Sequence, residues 1–232
     1  MAHPYSRALI VGAGHGLSAS LARLFALNGL TVALAARDTA KLENLCAETG
    51  AEAHACDATK GDDVARLFQA LDGKGGAPDV VVYNASARAR GPFVSLEARD
   101  VERSIMVSAF GGFLVAQEAV RRMLPNGKGA ILFTGASASV KGYPESAPFA
   151  MGKFALRGLA QSMARELAPK GIHVAHFVID GGIRSATRQD PPDRPDSLLD
   201  PDAIAQNYLH VLGQERSAWT WEIELRPWVE RF

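Results

Sequence analysis

Three glycines at alternate positions, Gly12, Gly14 and Gly16, directly follow the apolar run Ala8–Val11. Glycine lets a chain turn tightly and lets backbone amides come close to an anionic group. Leu17, Leu21 and Leu24 then recur at helical spacing, so the glycines fall between a strand and the first turn of a helix. Free amides and partial positive charge at a helix N-terminus suit a pyrophosphate. Ordinary tight turns also use glycine, but this position, between first strand and first helix, favours a nucleotide. The end of the next apolar run, Thr31–Ala36, bears on which dinucleotide it is. A carboxylate there would bind a ribose 2′-hydroxyl, whereas an arginine accommodates a 2′-phosphate. The run ends in Ala35-Ala36-Arg37, and the first carboxylate, Asp38, is placed to cap the following helix. His15 adds a second donor inside the glycine loop, so NADP(H) is expected over NAD(H).

The elements that must position these residues alternate along the chain. Apolar runs at Ala8–Val11, Thr31–Ala36, Ala51–Cys56, Asp79–Tyr83, Ala130–Phe133, His173–Val178 and Thr220–Leu225 read as strands. Helical stripes lie between them: Leu42, Leu45 and Cys46; Val64, Leu67, Phe68 and Leu71 behind a Thr59 cap; a long helix Asp100–Met123; and Leu156, Leu159, Ala160, Met163 and Leu167. A short helix covers Asp202–Leu212. The polar stretch Asp180–Pro201 is too long for an ordinary connection and is expected to be a mobile substrate lid. This pattern implies one α/β domain over residues 1–232, a doubly wound parallel sheet with helices on both faces.

Taken together, these motifs resemble the short-chain dehydrogenase/reductase family over essentially the whole chain. The family's Thr-Gly-x-x-x-Gly-x-Gly is similar to Val11-Gly12-Ala13-Gly14-His15-Gly16-Leu17-Ser18, with a serine for the last glycine. Asp57, followed by Ala58, matches the adenine-contacting Asp, and Asn84-Ala85-Ser86 the Asn-Ala-Gly after the fourth strand. Asp180-Gly181, with Ile183 and Ser185 beyond, resembles the turn that holds the nicotinamide carboxamide. The resemblance implies a Rossmann fold, a small carbonyl or alcohol substrate, and pairing into a homodimer or homotetramer.

At the catalytic positions the chain departs from the family. The family's Tyr-x-x-x-Lys is represented by Phe149 and Lys153, and its serine by Ser137. Its asparagine corresponds to Ser108. Hydride delivery to a carbonyl develops charge on oxygen, which the family's Tyr neutralises with a proton; a phenyl ring cannot. A positioned general acid is worth about 10²–10⁴ in rate. The resemblance therefore implies an NADP(H)-dependent oxidoreductase with an altered proton-donor site. Two rivals stay open: a non-catalytic NADP(H) binder, and a reductase of a conjugated carbon–carbon double bond. Tyr143 is expected to wall the substrate pocket.

The remaining candidates read as structural. His173 and His176 are three apart on a strand and face opposite sides, so no metal pair is expected. Asp190, Asp193 and Asp196 alternate with prolines in a solvated loop, and Trp219, Trp221 and Trp228 are expected in the core or at a subunit interface. With 25 basic and 25 acidic residues among 232, the chain gives no electrostatic reason to bind nucleic acid or an anionic membrane. Met1–Arg7 lacks the pattern of a secretory leader, and no apolar run approaches a membrane span. Cys46 and Cys56 read as buried free thiols, which suits the cytoplasm.

Overall fold

A computed structural model describes residues 4–230, so the start of the Met1–Arg7 reading lies outside the described residues. The seven longer strands are β1 (Arg7–Val11), β2 (Thr31–Ala36), β3 (Glu52–Ala55), β4 (Val80–Tyr83), β5 (Gly129–Thr134), β6 (Ile172–Ile179) and β9 (Glu222–Leu225). They form one parallel sheet in the order β3-β2-β1-β4-β5-β6-β9. Both faces are covered, which is why the central strands read as unbroken apolar runs: every residue of β4, β5 and β6 is buried.

Alternate residues feed two cores. On one face Ile10, Leu34, Val82 and Leu132 meet Leu21 and Phe25 of α1 (Leu17–Leu27) and Tyr208 of α7 (Pro201–Leu212). On the other, Leu9, Val81, Phe133 and Val174 meet Phe68 of α3 (Gly61–Gly73), Val115 of α5 (Gly111–Met123) and Leu156 of α6 (Ala147–Leu167). The smaller helices α2 (Glu43–Thr49) and α4 (Ala98–Ile105) complete the layers. The chain runs outward from β1 to β3, then crosses back to β4. That reversal opens a crevice at the carboxyl ends of β1 and β4, where such sheets take ligands.

Several local expectations are corrected. Lys60, not Thr59, precedes α3, and no side chain caps it; the Thr59 hydroxyl instead donates to Asp57, 2.8 Å away. The helix expected over Asp100–Met123 starts at Ala98 and is interrupted by a π-helical turn, Met106–Phe110. That turn has a partner that sequence periodicity does not reveal. The Tyr83 hydroxyl, from the neighbouring strand, donates to the Val107 carbonyl within it. Gly111 and Gly112 permit this contact, because a Cβ on Gly111 would strike the Tyr83 hydroxyl.

The stretch 180–201 is not irregular throughout. It holds a two-stranded parallel pair, β7 (Gly182–Ile183) and β8 (Leu198–Leu199). Asp190 is not a solvated loop charge: its carboxylate pairs with Arg184 at 2.7 Å and accepts from the Leu198 amide at 2.8 Å. The tryptophans do not form a core either. Trp228 is 82% exposed, and Trp219 is half-buried, stacked on His173 with ring centroids 4.5 Å apart. Cys46 is only half-buried, while Cys56 is buried.

Candidate active site

The crevice is a cleft of about 690 Å³ whose walls come from the N-terminus of α1, the ends of β4, β5 and β6, and the loops beyond them. Of the residues singled out in the sequence, it gathers Gly16, Leu17, Asn84, Ser137, Phe149, Lys153, Ile183 and Ser185, with Tyr143 on its wall. Arg37 does not line it. That side chain faces an adjoining cavity of about 230 Å³ with Arg88, Asp100 and Arg103. His15 is exposed and Asp57 half-buried, both outside the cleft lining.

The nucleotide end is built from backbone and small side chains. Gly12 has φ +84°, and a Cβ there would lie 2.5 Å from Ala85 Cα, so β1 and the β4 exit loop touch through the missing side chain. Gly14 and Gly16 differ: a Cβ on either would meet nothing within 4 Å. Their open side is a cradle. Helix α1 begins beside it with no side-chain cap and no carboxylate in its first turn, leaving its first amides available. Ser18, expected only to be small, does more. Its hydroxyl donates to the Gly12 carbonyl at 3.2 Å and accepts from Asn84 Nδ2 at 2.7 Å, tying loop, helix and β4 together. This donor set fits a dinucleotide pyrophosphate.

The opposite end is built from charged and aromatic side chains on α6 and the loops. Lys153 is buried, and its Nζ donates to the Thr134 carbonyl at 2.7 Å. Burial, reinforced by the Arg88 charge, pulls the Lys153 pKa down to about 7. One turn earlier, Phe149 is buried at the cleft floor, its ring centroid 5.8 Å from Lys153 Nζ. Arg88 lies over the same ring, with Cζ 4.0 Å from the centroid. Ser108 sits in the π-helical turn behind α6, packed where Gly152 has no side chain; its Oγ is buried without a hydrogen-bond partner. It does not reach the cleft lining.

The histidines lie on opposite faces of β6, as the strand period requires. His173 Nε2 is 2.9 Å from the Thr220 carbonyl and His176 Nδ1 3.1 Å from Glu222, which Arg157 of α6 clamps in turn. Burial holds the His176 pKa down to about 4, so its ring is neutral and donates to Glu222. Among the described residues no cluster of three or more His, Cys, Asp or Glu is arranged to hold a metal, and no helix is long and apolar enough to cross a membrane.

Arg88, Arg90 and Arg188 line the cleft and were not foreseen from the sequence. Arg88 and Arg90 alternate just beyond Asn84-Ala85-Ser86, which is a faint signal; Arg188 is brought in only by the β7–β8 fold.

The short chain dehydrogenase family profile matches residues 6–194. The chain belongs to that family. It is accordingly an NAD(P)-dependent oxidoreductase by descent. "Short chain aldehyde dehydrogenase 1" of Euphorbia lathyris is 32% identical over 174 residues, covering 72% of this chain; the chain spans only 60% of that relative. A solved short-chain dehydrogenase from Rhodopseudomonas palustris is 36% identical, with TM-score 0.81, over 97% of this chain and all of that one. A metagenomic short-chain oxidoreductase solved in complex with NADP is 26% identical, with TM-score 0.83, over 96% of this chain and 97% of the other.

Proposed function

We propose that this short-chain dehydrogenase uses NADP(H) on a small carbonyl or alcohol and draws its reaction proton from a group other than residue 149. The observation that supports the altered proton donor is Phe149 at the cleft floor, one helical turn before the buried Lys153. When bound, the nicotinamide would supply or accept a hydride. The amides at Gly14, Gly16 and Leu17 would hold the pyrophosphate, with Gly12 and Ala85 fixing the loop. Arg37 would meet the 2′-phosphate, with His15 beside it, and Asp57 and Ala58 would flank the adenine. Asn84, Ile183 and Ser185 would position the nicotinamide half. Ser137 would donate one hydrogen bond to the substrate oxygen. Lys153, titrating near pH 7, holds or releases a proton at Nζ close to that oxygen.

The 180–201 segment would cover the substrate, since Gly181 to Ser185 and Arg188 already line the cleft. We place the chain in the cytoplasm on its free thiols, and as a dimer or tetramer on the apolar residues that remain exposed along α5, the π-helical turn before it, and α6. Phe110, Phe113, Met151 and Phe154 are each at least 40% exposed. Light scattering at two or four times 24.7 kDa is expected; a monomer at micromolar concentration refutes the assembly.

The deciding experiment follows NADPH absorbance against aldehydes, diketones and enones. Phe149→Tyr should raise carbonyl turnover tenfold or more, and adding Lys153→Ala should abolish the gain. The gain stays short of the full general-acid range because Ser108 replaces the asparagine that would relay the proton. NADPH should bind at least tenfold more tightly than NADH, with the advantage lost in Arg37→Ala. A wild type already fast on carbonyls and unimproved by Tyr would assign the proton to another acid, Tyr143 included. NADPH binding without turnover in any variant would support a pure binder.

A further inference from the structure

We propose that the substrate is an anion, a small carbonyl or hydroxy compound bearing a carboxylate or phosphate, and that Arg88, Arg90 and Arg188 receive that charge. The inference rests on the proposed oxidoreductase function and names its substrate class. Its starting point is Phe149, whose face carries the Arg88 guanidinium, with Cζ 4.0 Å from the ring centroid. Stacking of this kind fixes a long side chain in one orientation while leaving its N–H fork free.

Two further arginines converge on it. Partial desolvation against the cleft wall, and after it the charges of Arg90 and Arg188, hold the Arg88 pKa below the ordinary arginine range, although the side chain keeps an exposed side. Arg188 lies across Gly182, where a Cβ would come within 2.5 Å of its Cζ, so the missing side chain makes room for the guanidinium. Three like charges gathered in one cleft repel one another, and an anion among them removes that cost.

The other charged groups in the cleft do not supply this anion. Asp180 is engaged by Lys141 at 3.3 Å and Arg226 at 3.7 Å. Arg184 is engaged by Asp190 at 2.7 Å and Asp200 at 3.2 Å. Lys153 is turned onto the Thr134 carbonyl. Glu145 and Glu230 also line the cleft, but neither pairs with any of the three arginines, which form no ion pair among the described residues. Arginine forks match planar carboxylates and phosphates with two parallel hydrogen bonds. The pyrophosphate cradle lies at the Gly16–Leu17 end; Arg88 also borders the adjoining cavity that holds Arg37, whereas Arg90 and Arg188 line the main cleft alone and are left for the substrate.

The test is calorimetry on the full chain, with and without NADP⁺, using matched pairs: pyruvate against methyl pyruvate, and dihydroxyacetone phosphate against dihydroxyacetone. The charged member of one pair should bind at least tenfold more tightly, and the pair that shows the preference distinguishes carboxylate from phosphate. Arg88→Ala and Arg188→Ala should each erase the preference, and Arg88→Lys should restore part of it. Should Arg88→Ala fail to fold, Arg188→Ala, on an exposed turn, carries the test. Equal or tighter binding of both neutral members overturns the proposal. So does a result in which the arginine variants weaken NADP⁺ and leave the anion preference untouched, because the cluster then serves the cofactor. Anion preference in a chain that ignores both NADP⁺ and NAD⁺ would uphold this inference and refute the oxidoreductase function; NADP⁺ binding with neutral preference would do the reverse.

Discussion

The two ends of the cleft are built on different principles. At the nucleotide end, Gly12, Ser18, Asn84 and Ala85 form a closed set of contacts, in which the hydroxyl of Ser18 and the amide of Asn84 satisfy each other. At the substrate end, Lys153 is buried near neutrality, the Arg88 guanidinium lies over a phenyl ring, and behind the cleft Ser108 Oγ has no partner. The first end is shaped by backbone geometry and tolerates little; the second holds stored electrostatic cost, as active sites do. The difference teaches where each end is vulnerable: the first to added atoms, the second to changes in charge.

The sharpest way to break this comparison is at the glycines. Gly12→Ala adds a Cβ at φ +84° into the Ala85 backbone and should destabilise the fold by about 3 kcal/mol, measured by urea unfolding. Gly14→Ala faces open space and should change stability by less than about 0.5 kcal/mol while weakening NADPH at least tenfold. Equal stability losses at the two positions would show that the loop is not divided into a packed glycine and a ligand-facing one.

Lys153 gives the next largest effect, and its sign follows from its depressed pKa. An unfolded lysine keeps its proton to about pH 10.4, whereas the folded one releases it near 7. Between those values the unfolded chain binds more protons, so stability rises with pH; below 7 both forms are protonated and the dependence ends. From pH 7 to 8.5 the rise should be roughly 2 kcal/mol, before Cys56 begins to oppose it, since burial raises that thiol to about 11. Unfolding midpoints across this range should climb in wild type and stay flat in Lys153→Met. A flat wild-type profile would mean that Lys153 is charged in the fold.

The smallest effect sharpens the nucleotide end. Ser18→Ala keeps the size but removes both hydrogen bonds, leaving Asn84 Nδ2 without its partner. A loss of about 1 kcal/mol is expected, together with weaker NADPH binding, read by denaturant melts and titration. An unchanged protein would return Ser18 to the role of a small spacer.

How much of this was legible in the chain varies with the kind of signal. Strand order along the sequence, the parallel sheet and the glycine cradle followed from apolar runs and from glycine spacing, because backbone geometry is written locally. The Lys153–Phe149 pair was legible because four residues make one helical turn. Thr59 was misread because it satisfies Asp57 rather than the helix end. Asp190 was misread because only the β7–β8 pair, which no sequence period reveals, turns Arg184 and the Leu198 amide onto its carboxylate.

By itself, the sequence determined that this chain builds an α/β sheet with a glycine-rich turn between its first strand and first helix and a phenyl ring one helical turn before a lysine. Those features depend on neighbours within a few residues, where spacing and geometry are the same thing. Only the tertiary structure decided that Tyr83 opens a π-helical turn around Ser108, and that Thr134 holds a lysine at the edge of its charge. It alone brought Arg88 and Arg188, a hundred residues apart in the chain, into one cleft. Charge–charge and charge–ring energies depend on distance in space, and distance in space is fixed by the packing of the sheet and its helices.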